Sequence, residues 1–168
     1  MGVANATIRN STLGYMGINA IGSGVLTVEN STIYGRSLIN LRSDYGSTWQ
    51  GEFVIRNCVF VPAGGSQTSA SLIGGSNSGQ HDFGYTCYMP ERITIENLHI
   101  DDSNHPEDYQ GPAIFANFNP QMDDSYQEKF PFVRTKEVIL RNVTTASGKD
   151  LRLSDNPFLF KDVKVDTD

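Results

Sequence analysis

Apolar and polar residues alternate in a short motif that returns six times along the chain. The copies are 6–13, 26–33, 53–60, 93–100, 138–145 and 158–165. Each reads apolar, variable, apolar, charged, Asn and then a second short extended stretch, with Asp162 in the Asn place of the last copy. A period of two predicts a strand that buries one face. Its inward positions are Ala6, Leu26, Phe53, Ile93, Val138 and Phe158, then Ile8, Val28, Ile55, Ile95, Leu140 and Phe160. Asn tolerates left-handed backbone, so Asn10, Asn30, Asn57, Asn97, Asn142 and Asp162 predict sharp turns. Beyond the turn, Ser11, Ser31, Cys58, Leu98, Val143 and Val163 are expected to face inward again.

The turn residues fall 20, 27, 40, 45 and 20 residues apart. Stacked repeats tolerate such unevenness, because insertions become loops while the strands keep their neighbours. The pattern therefore predicts an all-β fold, a right-handed parallel β-helix (solenoid) of about six coils spanning 1–168 as a single domain. Its Asn residues would form a ladder, each amide bonding the next at the strand spacing of about 4.8 Å. The charged position gives a second column, Arg9, Glu29, Arg56, Glu96, Arg141 and Lys161, alternating in sign until Arg141 meets Lys161. Opposite neighbours there favour register by up to about 1 kcal/mol per pair. A third strand per coil is expected within 17–22, 37–42, 71–76, 113–118 and 151–155, although 71–76 and 113–118 lack clean alternation.

Three short strands per coil, joined by one tight Asn turn and two looser loops, resemble the pectate-lyase-like β-helix superfamily. The resemblance covers most of the chain. It implies a fold rather than one activity, since that superfamily holds lyases, hydrolases, esterases, tailspikes and adhesins. It also implies that substrate lies across the first strand of each coil and the loop after it. Here that maps to Asn40, Arg42, Ser76, Asn117, Arg152 and Asp155, with 77–91 and 119–136 as walls.

Composition narrows the partners. A net charge of -6 disfavours nucleic acid and anionic membrane surfaces, which need clustered Lys and Arg. No run approaches the roughly 20 apolar residues of a membrane-inserted span. The two cysteines, Cys58 and Cys87, lack companion His pairs and carry no zinc signature. A disulfide between them is compatible with the spacing; a buried free thiol at Cys58 is the favoured reading. Asn5, Asn10, Asn30 and Asn142 match the glycosylation pattern, but three of them are ladder residues and are expected to be inaccessible. No capping helix is legible at either end, so a longer solenoid, or a homo-oligomer covering the first coil, is expected.

Long loops on a rigid scaffold are where function concentrates. Trp49, Tyr45, Tyr85, Tyr88 and Tyr126 would serve as flat platforms for sugar rings, and His81 and Asp82 as polar contacts. The competing reading is that such aromatics pin their own loops. A polysaccharide lyase needs a basic residue to take a proton beside a uronate carboxylate, and a cation, often Ca2+, to neutralise that carboxylate. Lys149, Arg152 and Asp155 supply those residue types as candidate catalytic groups, but no lyase motif surrounds them and a turn with solvated charges is the favoured reading; no metal ligand set is recognisable. A glycoside hydrolase needs two carboxyls about 5–9.5 Å apart, and Asp101–Asp102 and Asp123–Asp124 are the candidates, although adjacent acids in loops are usually caps or turns and Asp101–Asp102 directly follows a strand end. The first expectation is thus a carbohydrate-active or carbohydrate-binding domain for an extracellular polysaccharide, acidic or plant-type. The second is a non-catalytic structural or adhesive segment of a larger enzyme or tailspike-like protein.

Overall fold

The computed structural model describes residues 3–14, 18–41, 49–62, 70–75, 86–116, 132–154 and 160–167. Every named element among them is a strand, and strand makes up 65%. The main sheet sets β1 (Val3–Arg9), β4 (Gly22–Glu29), β7 (Trp49–Pro62), β10 (Arg92–Ile100), β13 (Glu137–Thr145) and β14 (Lys164–Thr167) side by side, in chain order and all parallel. Two short strands, β2 (Thr12–Leu13) and β5 (Thr32–Gly35), extend it past the Asn turns. A second parallel sheet holds β3 (Ile18–Ala20), β6 (Ser37–Leu41), β8 (Ser71–Gly74) and β11 (Ala113–Phe115). The chain alternates between the two sheets. A small third sheet pairs β9 (Cys87–Tyr88) with β12 (Phe132–Val133), so two of the long insertions also lie in register.

The inward columns form as the alternation requires. Leu26 aligns with Phe53, Phe53 with Ile93 and Ile93 with Val138, while Ile55, Ile95 and Leu140 align two residues along. All of these are buried. Ser11 and Ser31 donate their hydroxyls to the carbonyls of Arg9 and Glu29 at 2.9 and 2.8 Å. The Cys58 thiol repeats that bond to the Arg56 carbonyl at 3.3 Å. Cys58 and Cys87 are both free and buried.

Asn10, Asn30, Asn57, Asn97 and Asn142 all adopt φ between 49° and 53°. Asn97 donates its amide to Asn57, and Asn142 donates to Asn97, each at 2.9 Å. The ladder runs along the surface, however, and all five residues are exposed. The expected inaccessibility of Asn10, Asn30 and Asn142 is thereby corrected: hydrogen bonding and turn geometry, not burial, explain the ladder. Asn5 is also left-handed, at φ 59°, and sits in a bulge where its side chain accepts from the Val25 N–H at 2.9 Å. Gly24 beneath it has φ 75°, and a Cβ there would collide with the Asn5 amide.

The last repeat falls elsewhere than the pattern suggests. Val165, not Phe158, aligns with Val138, and Thr167, not Phe160, aligns with Leu140. Phe160 instead stacks on Phe115, 4.3 Å between ring centres and with the ring planes nearly parallel. A turn follows, with the Val163 N–H donating to the Phe160 carbonyl at 3.1 Å. Asp162 is therefore not a ladder residue; its carboxylate faces Arg134 at 3.4 Å. Lys161 is not beneath Arg141 either. Arg141 bridges to Asp166 at 3.1 Å, so the alternation of charge continues where a break was expected.

The expected third strand at 151–155 is reduced to one bridge between Arg152 and Ala113. The weak alternation of 71–76 and 113–118 has a plain cause. Leu72 and Ile73 are both fully buried, as are Leu38 and Ile39, and Ile114 and Phe115 nearly so. Where a strand is covered on both faces, as at these six positions, it reads as a continuous apolar run.

Candidate functional site

The described candidates Lys149 and Arg152 lie just past β13, where it meets the 101–112 insertion of the preceding repeat. Asp102, at the start of that insertion, is 4% exposed. Its carboxylate accepts from the Ser147 N–H at 2.8 Å, the Ser147 hydroxyl at 2.7 Å and the Tyr109 hydroxyl at 2.8 Å. Ser147 also accepts from the Lys149 N–H at 3.2 Å, and Thr145 donates its hydroxyl to the Lys149 carbonyl at 2.8 Å. His105 stacks on Tyr109 with ring centres 4.8 Å apart. Arg152 is half-buried, its guanidinium donating to the Gly111 carbonyl at 3.3 Å and its N–H to the Pro112 carbonyl at 2.9 Å.

The electrostatics of this corner are those of a clamp. Burial acts to raise the Asp102 pKa and is the largest single influence. The hydrogen bonds from Ser147 and Tyr109 together outweigh it and hold the carboxyl below its ordinary value. Asp102 is thus an ionised acceptor with three donors, not a proton donor of the kind a hydrolase needs. Burial, and next the bond to Asp102, push the Tyr109 phenol well above its ordinary value, so it stays protonated. Asp101 accepts from the Ser103 hydroxyl at 2.7 Å, which is turn chemistry. Neither acid of that pair is placed as a catalytic carboxyl.

On the second sheet, Asn19 and Asn40 align on the outward face, with Ile18 and Ala20 buried on either side of Asn19. Asn40 donates its amide to the Asn19 side-chain oxygen at 3.0 Å. Gly74 lies alongside, and a Cβ there would press on Asn40 and collide with Ser37. Ser37 and Ser71 share a hydroxyl–hydroxyl bond of 3.0 Å. Ser71 and Gly74 are buried, so the amide pair, with Asn19 exposed and Asn40 partly so, is what this end of the sheet offers to a hydroxyl-bearing ligand.

No family model, no curated protein and no solved structure matches the chain. The site therefore has to be read from its own residues. Trp49 is 1% exposed and donates its indole N–H to the Gly24 carbonyl at 2.9 Å, packed at 5.8 Å from Phe53. It is a core residue and offers no face to a sugar, which corrects its reading as a platform. Its position at the start of β7, not in a loop, explains this. Arg42, His81, Asp82, Tyr85, Asn117, Tyr126 and Asp155 lie outside the described residues, as do Tyr45 and the Asp123–Asp124 pair. Among the described residues no group of three or more His, Cys, Asp or Glu is placed to hold a metal ion. No described helix is long and apolar enough to cross a membrane.

A second charged column escaped the motif because it sits one place before the first inward residue. Arg92 lies 3.6 Å from Glu52 and 3.0 Å from Glu137, and Lys164 lies 3.2 Å from Glu137. Glu91 pairs with Lys136 beside it. These six residues line a shallow cleft of about 410 Å³. The signal was present as Glu-Phe, Arg-Ile, Glu-Val and Lys-Val at 52, 92, 137 and 164.

Proposed function

We propose that the chain winds as a right-handed parallel β-helix of about six coils, of the pectate-lyase-like kind, and binds an extracellular polysaccharide along its second sheet. The winding is supported by strands that alternate between two parallel sheets in chain order, since parallel crossovers are almost always right-handed. The binding reading rests on one observation, the outward-facing amide pair of Asn40 and the exposed Asn19. The two amides lie one strand spacing apart, about 4.8 Å, and offer adjacent partners to the hydroxyls of a glycan. Binding is favoured over turnover because Asp102 is fully engaged and Arg152 is tied to a backbone carbonyl.

A structural or adhesive segment is the second reading. The outer face of the main sheet favours it, because its charges are matched to one another rather than left for a ligand.

A glycan array spanning neutral and uronate-containing polysaccharides tests both. Binding that Asn40→Ala weakens at least tenfold, with an unchanged melting temperature, supports the polysaccharide reading. No binding to any glycan leaves the structural one. A calcium-dependent rise in absorbance from unsaturated uronides, abolished in Lys149→Ala and Arg152→Ala, would instead mark a lyase.

A further inference from the structure

The two charged columns run in opposite phase. In the third repeat Glu52 opens the strand and Arg56 closes it; in the fourth, Arg92 opens and Glu96 closes; in the fifth, Glu137 opens and Arg141 closes. The sixth opens with Lys164 and carries Asp166 against Arg141. From the third repeat onward each strand thus bears one charge of each sign, and the order inverts at every step; β1 and β4 carry only the closing charge, Arg9 and Glu29.

We infer that these paired columns select which repeat stacks on which while the chain folds. The apolar columns cannot do so, because Leu26, Phe53, Ile93 and Val138 are interchangeable hydrophobes at one position of the same motif. Any pairing that skips one repeat sets like charges together. Joining β7 to β13 would oppose Glu52 with Glu137 and Arg56 with Arg141. Joining β4 to β10 would oppose Glu29 with Glu96, and joining β1 to β7 would oppose Arg9 with Arg56. Like charges directly across neighbouring strands are destabilising. In the finished fold the burial of Ile93, Ile95, Leu98 and Ile100 holds the fourth repeat in place. Before that burial is complete, the charges are what distinguish a correct neighbour from a skipped one.

The test reads the pairing early in refolding. In a Cys58→Ser, Cys87→Ser background, one variant carries Val54→Cys with Thr94→Cys, which are native neighbours. Another carries Val54→Cys with Ile139→Cys, which meet only if the fourth repeat is skipped. Each is released from urea, oxidised at short delays and quenched. The 54–94 crosslink is expected to dominate. Adding Glu137→Arg and Arg141→Glu makes the fifth repeat complementary to the third, and the 54–139 share should rise several-fold at low salt and fall back in about 1 M salt. The reading is taken before the native state forms, so the altered chain need not reach it. An unchanged 54–139 share, or a rise that salt does not reverse, overturns the inference.

Discussion

Ser147 closes a bond to Asp102 across 45 residues of sequence, through both its N–H at 2.8 Å and its hydroxyl at 2.7 Å. The bond ties the 101–112 insertion to the next turn of chain, and Tyr109 completes it from within the insertion. Replacing Asp102 by Asn keeps the size but removes the charge that all three donors meet. Hydrogen bonds to charged groups contribute about 1.5–3 kcal/mol each, and they overlap here, so Asp102→Asn should cost about 2–3 kcal/mol in urea denaturation. The pH sign follows from the lowered pKa. The contribution is complete above the unfolded carboxyl value of about 3.9 and is lost as pH falls through the lower folded value. The gap between wild type and Asp102→Asn should therefore narrow in acid.

Asn97 sits mid-ladder, donating to Asn57 and accepting from Asn142, with φ at 52°. Asn97→Ala loses both bonds and leaves in left-handed backbone a residue without the short polar side chain that makes the conformation tolerable, at about 1–2 kcal/mol for the backbone alone. Asn97→Gly loses the bonds but relieves the backbone. Urea denaturation should rank the variants wild type, Gly, Ala in falling stability. An Ala variant as stable as the Gly variant would mean that the turn does not need the left-handed residue.

Five of the six repeats were legible because one face of each strand is buried, and a one-residue slip would expose every apolar side chain. The sixth was misaligned because Phe158 and Phe160 imitate the inward spacing. Phe160 serves the core by stacking on Phe115, a contact that no strand period encodes. The second sheet was hard to orient because Leu38 and Leu72 are buried opposite Ile39 and Ile73, which erases alternation. Asp102 looked like a turn acid or one half of a catalytic pair. Its real partner, Ser147, is remote in sequence, and nothing local announces it. The second charged column was readable at 52, 92, 137 and 164, but only with the motif extended by one residue.

Trp49 is the only tryptophan, so it reports its own environment. Buried against Phe53, it should fluoresce at short wavelength and resist quenching by iodide. Adding a bound polysaccharide should leave that emission unmoved, because the ring has no outer face to cover. Trp49→Ala should cost about 3–5 kcal/mol, as core aromatic truncations do. An emission maximum like that of free tryptophan, or a large shift on glycan binding, would contradict the buried placement.

Cys58 occupies a column in which Ser11 and Ser31 make the same bond two residues back, and in which Leu98 and Val143 make none. The column thus accepts a small donor or an apolar group of moderate size. Cys58→Ser should change stability by less than about 1.5 kcal/mol, because its hydroxyl inherits the carbonyl of Arg56 and leaves no donor unmet. Cys58→Asp places a charge where none of the neighbouring repeats carries one, and should prevent folding at neutral pH. Burial pushes the Cys58 thiol above its ordinary pKa, which leaves little thiolate to react. An aromatic disulfide reagent at pH 8 should therefore find neither cysteine in the native protein and both in urea. Fast labelling of Cys58 without denaturant would show that the strand beyond the Asn57 turn opens far more readily than its burial allows.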